Sequence, residues 1–308
     1  MTKKKKIVIP VISILVVIVV LVVLRFILCP ERKAVEYRKV TIPGETMVDI
    51  GNRIEEMRLD IHSLVERLNG SRVLLVGEEH MKKEIIGYFL EFLDNLPDDQ
   101  LVLNLEWPEA VQGFIDGYME SGEETYLEKI SNSPYTLPYQ AILRWAFKNK
   151  KRVAKVYAMD ENTGHIRFNR MVLCTDTRNR TMAKKIYQTY NDFPEARIIA
   201  YGGMMHMLKS GRYRYDEDSR TPAGNLVVTK MGIPKEDVRT IMINGEGQFP
   251  LSPAWKGTPG AIEMTGGFAS LPFDYFFEYP IFRVKTADEL FHFFINVGPL
   301  SPIETGGR

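Results

Sequence analysis

The run Arg72-Val-Leu-Leu-Val-Gly-Glu-Glu-His80 contains the pattern that decides the fold. Its first half, residues 72–76, is a short apolar segment rich in β-branched and aliphatic side chains, which is typical of a strand buried on both faces. Its second half places one glycine and three ionisable side chains directly after that strand. A strand of this kind predicts a parallel sheet that is covered by helices on both sides.

The rest of the chain repeats this alternation of strand and helix. Short apolar runs predict further strands at 101–105, 152–158, 197–201, 225–230, 238–243 and 275–285. Helical spacing of apolar residues predicts helices at 46–69, 82–96, 140–150, 175–190 and 287–296, with another from 108 onward. The order predicts a three-layer α/β fold with a mainly parallel sheet. Residues 244–272 are rich in Gly, Pro, Ser and Thr and are predicted to form a long loop of a functional or mobile kind.

The N-terminus carries a separate signal. Four lysines at positions 3–6 precede residues 7–24, which contain no charged side chain and would reach ~27 Å as a helix. We therefore predict a membrane anchor over residues 7–28, with the lipid bilayer as its partner. The alternatives are a cleaved signal peptide and a lipoprotein modified at Cys29, but bulky Ile27 and Leu28 suit neither form of processing.

The anchor divides the chain into an anchor with its juxtamembrane segment (1–36), a single soluble α/β domain (37–300) and a polar tail (301–308). The lysines at 3–6 favour a cytoplasmic N-terminus and an extracytoplasmic domain, although basic residues also follow the apolar run. The first thirty residues carry five basic and no acidic side chains, which leaves 35 basic against 39 acidic residues. This balance argues against nucleic acid as a partner. The two cysteines offer no disulfide framework.

Ionisable side chains collect where the predicted strands end. Ligands bind beyond the carboxyl ends of the strands in open parallel sheets, so these side chains are expected to lie close together. The candidate catalytic residues are Glu79, His80, Glu106, Arg178 and His206. The candidate ligand contacts are Asp176, Tyr201, Met204 and Tyr275. Each of these residues could have a purely structural role, such as a helix cap or a hydrogen-bonded core residue. Their shared position at one sheet edge favours a functional site.

A His beside a Glu is the usual arrangement for activating water, and an Arg can stabilise a developing oxyanion. His80, Glu106 and His206 could instead hold Zn²⁺ or Mn²⁺, although a cation would be repelled by Arg178. Haem is a further alternative cofactor, with Tyr201 or Tyr275 as the axial ligand. No side chain is a compelling nucleophile, because Cys174 lies in an apolar run.

The polar motifs at the strand ends, taken together, resemble those of a known family. They are Gly77-Glu-Glu-His80, Glu106, Asp176-x-Arg178-x-x-x-Met182-Ala183, Gly202-x-x-x-His206 and Phe273-Asp-Tyr275. Together they resemble the superfamily of ChaN-like haem-binding lipoproteins, erythromycin esterases and Tiki proteases. The sequence departs from it at Met81, where Asp or Gly is common, and Gly203 also provides the Tiki spacing to His206.

The resemblance implies a polar site at Glu79, His80, Glu106, Arg178 and His206. It leaves the activity open, because its members include hydrolases, proposed metalloproteases and haem binders. We expect a membrane-anchored hydrolase of an esterase or metalloprotease type, acting on a small-molecule or peptide substrate. The alternative is a protein that binds haem or an apolar ligand without catalysis, and a third option is a scaffold whose site has decayed.

Overall fold

The computed structural model describes residues 19–20, 39–80, 82–97, 100–130, 137–162, 177–215, 218–278 and 281–301. Within these residues, no helix combines the length and the apolar composition needed to cross a bilayer. The predicted anchor lies outside them except for Val19 and Val20, as do Cys29, Cys174 and Asp176.

A seven-stranded sheet forms the centre of the described part of the chain. Its strands are β1 (Val73–Glu78), β2 (Leu101–Pro108), β3 (Val153–Asp160), β4 (Arg197–Gly203), β7 (Val238–Glu246), β8 (Gly260–Glu263) and β10 (Phe293–Pro299). Their spatial order is β3-β2-β4-β1-β7-β10-β8. All neighbours pair in parallel except β8, which runs antiparallel to β10 at one edge. A smaller antiparallel sheet combines β5 (Arg212–Tyr215), β6 (Asp218–Arg220) and β9 (Ile281–Phe282).

Helices cover both faces of the large sheet, which confirms the predicted three-layer α/β fold. One face packs against α1 (Gly44–Met57), α7 (Arg178–Asp192), α8 (Met204–Met207) and α9 (Ala223–Thr229). The opposite face packs against α2 (Ile61–Arg67), α3 (Lys83–Asn95), α4 (Gln112–Ser121), α5 (Glu124–Ile130) and α6 (Leu137–Lys148). We call these the α7 face and the α3 face.

Side chains of β1 alternate between the two faces. Val73 and Leu75 belong to the core on the α7 face, whereas Leu74 and Val76 belong to the core on the α3 face. This period of two follows from the pleat of a strand. It explains why the sequence of β1 is apolar throughout, because every one of its positions is buried.

The neighbouring strands β1 and β4 send the chain to opposite faces of the sheet. β1 leads into α3 on one face, and β4 leads into α8 on the other. A crevice opens at such a switch point, beyond the carboxyl ends of the strands. The predicted catalytic residues lie at this edge.

Several element predictions are wrong in the C-terminal third. The expected strand at 225–230 is instead the second half of α9, which ends at Thr229. The expected helix at 287–296 is a turn region followed by the first four residues of β10. The expected strand at 275–285 is reduced to β9, and Phe273–Tyr275 is a short 3₁₀ helix rather than a closing strand. The predicted long helix at 46–69 is two helices, α1 and α2.

Candidate functional site

Glu106 lies at the centre of the polar groups at the sheet edge. Its Oε1 accepts a hydrogen bond from Arg178 Nη2 at 2.7 Å, and its Oε2 accepts one from the backbone N–H of Gly203 at 2.6 Å. The Nε2 atom of His206 lies 3.4 Å from Oε1, and that of His80 lies 3.9 Å from Oε2. The structure therefore brings β2, β4, α7 and both histidines together at one carboxylate.

Arg178 joins two buried carboxylates. It is the first residue of α7, and its guanidinium also contacts Asp160 at the end of β3, with Nε–Oδ1 at 3.0 Å and Nη2–Oδ2 at 2.6 Å. A cation at a helix N-terminus is unfavourable in the helix dipole, and the contacts with Asp160 and Glu106 offset that cost. Arg180, two residues along the same helix, is exposed.

His80 is oriented by Glu78, the last residue of β1. Glu78 is 1% exposed, and its Oε1 lies 3.0 Å from His80 Nδ1. The hydroxyl of Tyr201 donates to the other oxygen of Glu78. This arrangement assigns the Nδ1 proton of His80 to the bond with Glu78 and directs Nε2 toward Glu106.

Of the two predicted carboxylates, Glu106 lies at the centre of this cluster, whereas Glu79 does not join it. Because β1 alternates, Glu78 points to the α3 face beside Tyr201, and Glu79 points to the α7 face beside Met204. The carboxylate that orients His80 is therefore Glu78, which the sequence did not identify as a site residue.

His206 is held by a neutral network. Asn179 donates through Nδ2 to the carbonyl of Thr221 at 2.8 Å and to the hydroxyl of Tyr213 at 3.0 Å. Its Oδ1 is therefore an acceptor and lies 2.5 Å from His206 Nδ1. The network assigns the proton of the neutral imidazole to Nδ1, which leaves Nε2 unprotonated and facing Glu106.

The two histidines have pKa values displaced in opposite directions. Burial lowers the pKa of His80, but the hydrogen bond to Glu78 and the charge of Glu106 outweigh this and raise it to about 9. Burial lowers the pKa of His206 to about 4, and the charge of Glu106 only partly opposes it. At neutral pH His80 is a cation and His206 is neutral.

Glu106 is ionised at this pH. Burial alone would raise its pKa, but the nearby His206, Arg178 and His80, together with the Gly203 N–H, lower it below its usual value. Because His206 is itself neutral at pH 7, Arg178, His80 and Gly203 are the groups that hold the charge there. Burial raises the pKa of Asp160, and its bonds to Arg178 oppose that rise.

Two glycines allow this close packing. A Cβ atom on Gly202 would lie 2.6 Å from Glu106 Oε2, and one on Gly203 would lie 2.7 Å from His80 Nε2. Neither distance is compatible with a real side chain, so Gly202 and Gly203 serve the site as well as the turn from β4 into α8.

The donor set does not suit a metal ion. Both oxygens of Glu106 already accept N–H donors, and the Arg178 guanidinium adjoins them. Among the described residues, no group of three or more His, Cys, Asp or Glu side chains could hold a metal ion. Haem ligation has little geometric support either, because the Tyr201 hydroxyl is bonded to Glu78 and Met204 is buried in the core. Tyr275 is partly buried against the same core.

Sequence reasoning missed four residues that shape the site. They are Glu78, Asp160, Asn179 and Tyr213. Alternation along β1 carries a signal for Glu78, and the position of Asp160 at the end of β3 carries one for that residue. Asn179 and Tyr213 have no comparable signal, because Tyr213 reaches His206 through the small sheet, whose pairing the sequence does not specify.

No family model matches the chain, and no curated protein does. Solved structures do match. A mutant of the erythromycin esterase EreC in its open conformation has a TM-score of 0.57 at 12% sequence identity, covering 82% of this chain and 99% of that chain. A succinoglycan biosynthesis protein has a TM-score of 0.59 at 9% identity, covering 85% of this chain and 100% of that chain. A protein from Bacillus cereus has a TM-score of 0.52 at 11% identity, covering 83% and 98%. This chain therefore shares the fold of these solved structures, among them an erythromycin esterase.

Proposed function

We propose that the protein is a hydrolase that activates water between His206, His80 and Glu106. One observation carries the proposal: two imidazoles approach the same carboxylate, and their pKa values are displaced to about 4 and about 9. Pairs of titratable groups with separated pKa values are the usual arrangement for acid and base catalysis. The fold shared with an erythromycin esterase supports the same reaction class.

The geometry suggests a role for each histidine. Unprotonated Nε2 of His206 accepts a proton from water, and the negative charge of Glu106 stabilises the imidazolium that forms. The water oxygen attacks the carbonyl carbon of the substrate, and the protonated His80 stabilises the oxyanion. When the tetrahedral intermediate collapses, the bond to the leaving group breaks and His80 gives that group its proton. His206 then returns its proton to solvent, and His80 takes up a proton from solvent, so that both histidines regain their starting states.

Exposure supports this division of roles. The His80 side chain is 33% exposed and reaches a substrate from the open side, whereas that of His206 is 11% exposed. Arg178 and Asp160 remain positioning residues, because both are occupied in holding Glu106 and α7.

The test is the pH dependence of kcat/KM on a panel of aryl esters and thioesters. We expect a bell-shaped profile with limbs near pH 4 and pH 9, and a loss of about 10²–10⁴-fold in His80→Gln and in His206→Gln. His62 is exposed on α2, so His62→Gln is the matched control. A profile that only rises toward pH 9 would assign the base to His80, and equal losses in all three variants would contradict the proposal.

Binding of haem or another apolar ligand is the alternative, and it has weaker support. The cavity beside Glu79 is about 180 Å³, which is smaller than the usual pocket for a drug-sized ligand. Titration with haemin tests it: a Soret shift that is lost in His206→Ala would support this alternative over hydrolysis.

The membrane anchor remains part of the proposal and rests on the sequence of residues 7–28. A cytoplasmic N-terminus would place the α/β domain on the extracytoplasmic side. We expect the full-length protein to stay with membranes after carbonate washing and to be digested by protease added from the extracytoplasmic side. Release by carbonate would contradict the anchor, and protection from protease would contradict the orientation.

A further inference from the structure

The cavity beside Glu79 lies at the same sheet edge, next to His80. It has a volume of about 180 Å³ and opens beyond the ends of β1 and β7. Its lining consists of Glu79, Met204, Asn244, Gln248, the Phe276–Phe277 pair and Glu278. None of these side chains takes part in the cluster around Glu106.

The carboxylate of Glu79 lines this cavity. Within the described part of the chain it accepts no hydrogen bond and forms no ion pair, although it is largely withdrawn from solvent. Burial raises its pKa, and the nearby positive charges of His80 and Lys82 limit that rise. A carboxylate in this position is stabilised when a cation binds beside it.

Asn244 provides an independent sign of a ligand. This residue of β7 is 2% exposed, and its Oδ1 accepts a hydrogen bond from the Gly245 N–H at 2.8 Å. That bond fixes the orientation of the amide, so the Nδ2 group is the donor that faces the cavity. In the residues that the structure describes, Nδ2 donates to no acceptor. Buried polar groups are normally hydrogen-bonded, so an acceptor from outside the protein is expected.

We propose that this cavity is the subsite for a protonated amine on the substrate, with a neighbouring oxygen atom that accepts from Asn244. Glu79 binds the ammonium group inside the cavity, and the exposed Glu278 adds negative charge at its mouth. Met204, Phe276 and Phe277 supply an apolar wall for the carbon atoms next to the nitrogen. The inference rests on the proposed hydrolase function, because Glu79 directly precedes His80.

A metal ion fits this cavity less well than an amine. Only Glu79 and Glu278 carry ionisable oxygen ligands there, and Glu278 is exposed. Divalent cations prefer several oxygen ligands, whereas an organic ammonium group also benefits from an aromatic and thioether wall.

Binding is tested with two ligands of matched shape, dimethylaminoethanol and isoamyl alcohol, using the full-length protein and ligand-observed NMR. At neutral pH the first is a cation and the second is neutral. We expect the cation to bind about tenfold more tightly, which is the effect of one charge-assisted hydrogen bond. The preference should disappear in Glu79→Gln and weaken in Glu278→Gln. It should be kept in Glu236→Gln, which changes an exposed carboxylate far from the cavity.

The thioacetates of the corresponding thiols separate this inference from the proposed function. Faster release of the cationic thiol than of the neutral one would support both, provided that the excess rate is lost in Glu79→Gln. If the cationic ligand binds more tightly but neither thioacetate is hydrolysed, the result would support the subsite and contradict the proposed hydrolase function. Equal binding of the two ligands, or a preference that persists in Glu79→Gln, would overturn the subsite. Competition by Ca²⁺ or Mg²⁺ at stoichiometric concentration would also overturn it, in favour of a metal site.

Discussion

The surroundings of His80 and of His206 differ although both rings face Glu106. His80 is partly open to solvent, and its Nδ1 contacts the carboxylate of Glu78. His206 is enclosed, and its Nδ1 contacts the amide of Asn179. A charged partner raises the pKa of one histidine, and burial beside a neutral partner lowers that of the other. The comparison shows that the group on Nδ1, together with burial, decides which histidine carries a positive charge at neutral pH.

The largest expected effect on stability comes from removing Arg178, because its guanidinium binds the carboxylate that both histidines face. Arg178→Ala leaves Glu106 and Asp160 buried without their partner, so we expect the free energy of unfolding to fall by about 3–5 kcal/mol. Arg180→Ala, in the same helix but exposed, should have little effect. Urea unfolding of the two variants measures the difference. Equal small losses would mean that Arg178 does not hold the two carboxylates.

The pH dependence of stability separates the two histidines. Because the folded pKa of His80 is raised from 6.5 to about 9, its contribution is complete below pH 6.5 and is lost as the pH rises toward 9. Because that of His206 is lowered from 6.5 to about 4, its contribution is complete above pH 6.5 and is lost as the pH falls toward 4. The shift of His206 corresponds to about 3 kcal/mol.

Unfolding at a series of pH values tests this. His80→Gln should flatten the alkaline limb of the stability curve, and His206→Gln should flatten the acid limb. His292 also has a pKa lowered by burial, to about 3, so His292→Gln is the necessary comparison on the acid side. An alkaline limb unchanged in His80→Gln would show that His80 is neutral at pH 7.

A smaller effect is expected when the charged partner of His80 is made neutral. Glu78→Gln should lower the pKa of His80 and reduce the free energy of unfolding by about 1–3 kcal/mol, because Tyr201 and His80 both lose a carboxylate acceptor. NMR titration of the His80 ring measures the first effect. Glu79→Gln is the matched control and should lower that pKa less, because Glu79 makes the weaker contribution.

The smallest effect on stability is expected in the neutral hydrogen-bond network around His206. Tyr213→Phe removes a hydroxyl that lies 3.3 Å from His206 Nδ1 and accepts from Asn179 at 3.0 Å. We expect a loss of about 1 kcal/mol in the free energy of unfolding. The pKa of His206 should stay low, because burial rather than Tyr213 is its main cause. Tyr187 is exposed, so Tyr187→Phe should be silent in the same urea experiment.

The sequence predicted the half of the sheet that carries the site. β1 to β4 are short apolar runs between amphipathic helices, and burial on both faces makes such strands easy to recognise. The segment around Val227 and Val228 is equally apolar, yet Pro222 begins a helix there. A short apolar run alone does not distinguish the two structures. The strand β10 was missed for the converse reason, since Phe291 and Phe294 have a helical spacing but pack in an aromatic cluster with Phe276.

The sequence predicted the sheet edge of the site and four of the side chains that meet there, but it named Glu79 and not Glu78. The positions after the strands identify His80, Glu106, Arg178 and His206 as neighbours, because parallel strands end together. The choice of Glu79 over Glu78 requires knowing which face of β1 carries Tyr201. That information depends on the register of β1 against β4, which pairs Val76 with Tyr201 and Glu78 with Gly203.

The backbone amide of Gly203 can report on the site when no substrate is known. It donates to a carboxylate that is 97 positions away in the chain, so this bond exists only after β2 and β4 have come together. Its proton is replaced by deuterium only when the two strands separate or the carboxylate moves away. The exchange rate of this one amide under native conditions therefore gives the free energy at which the site opens in the absence of any ligand.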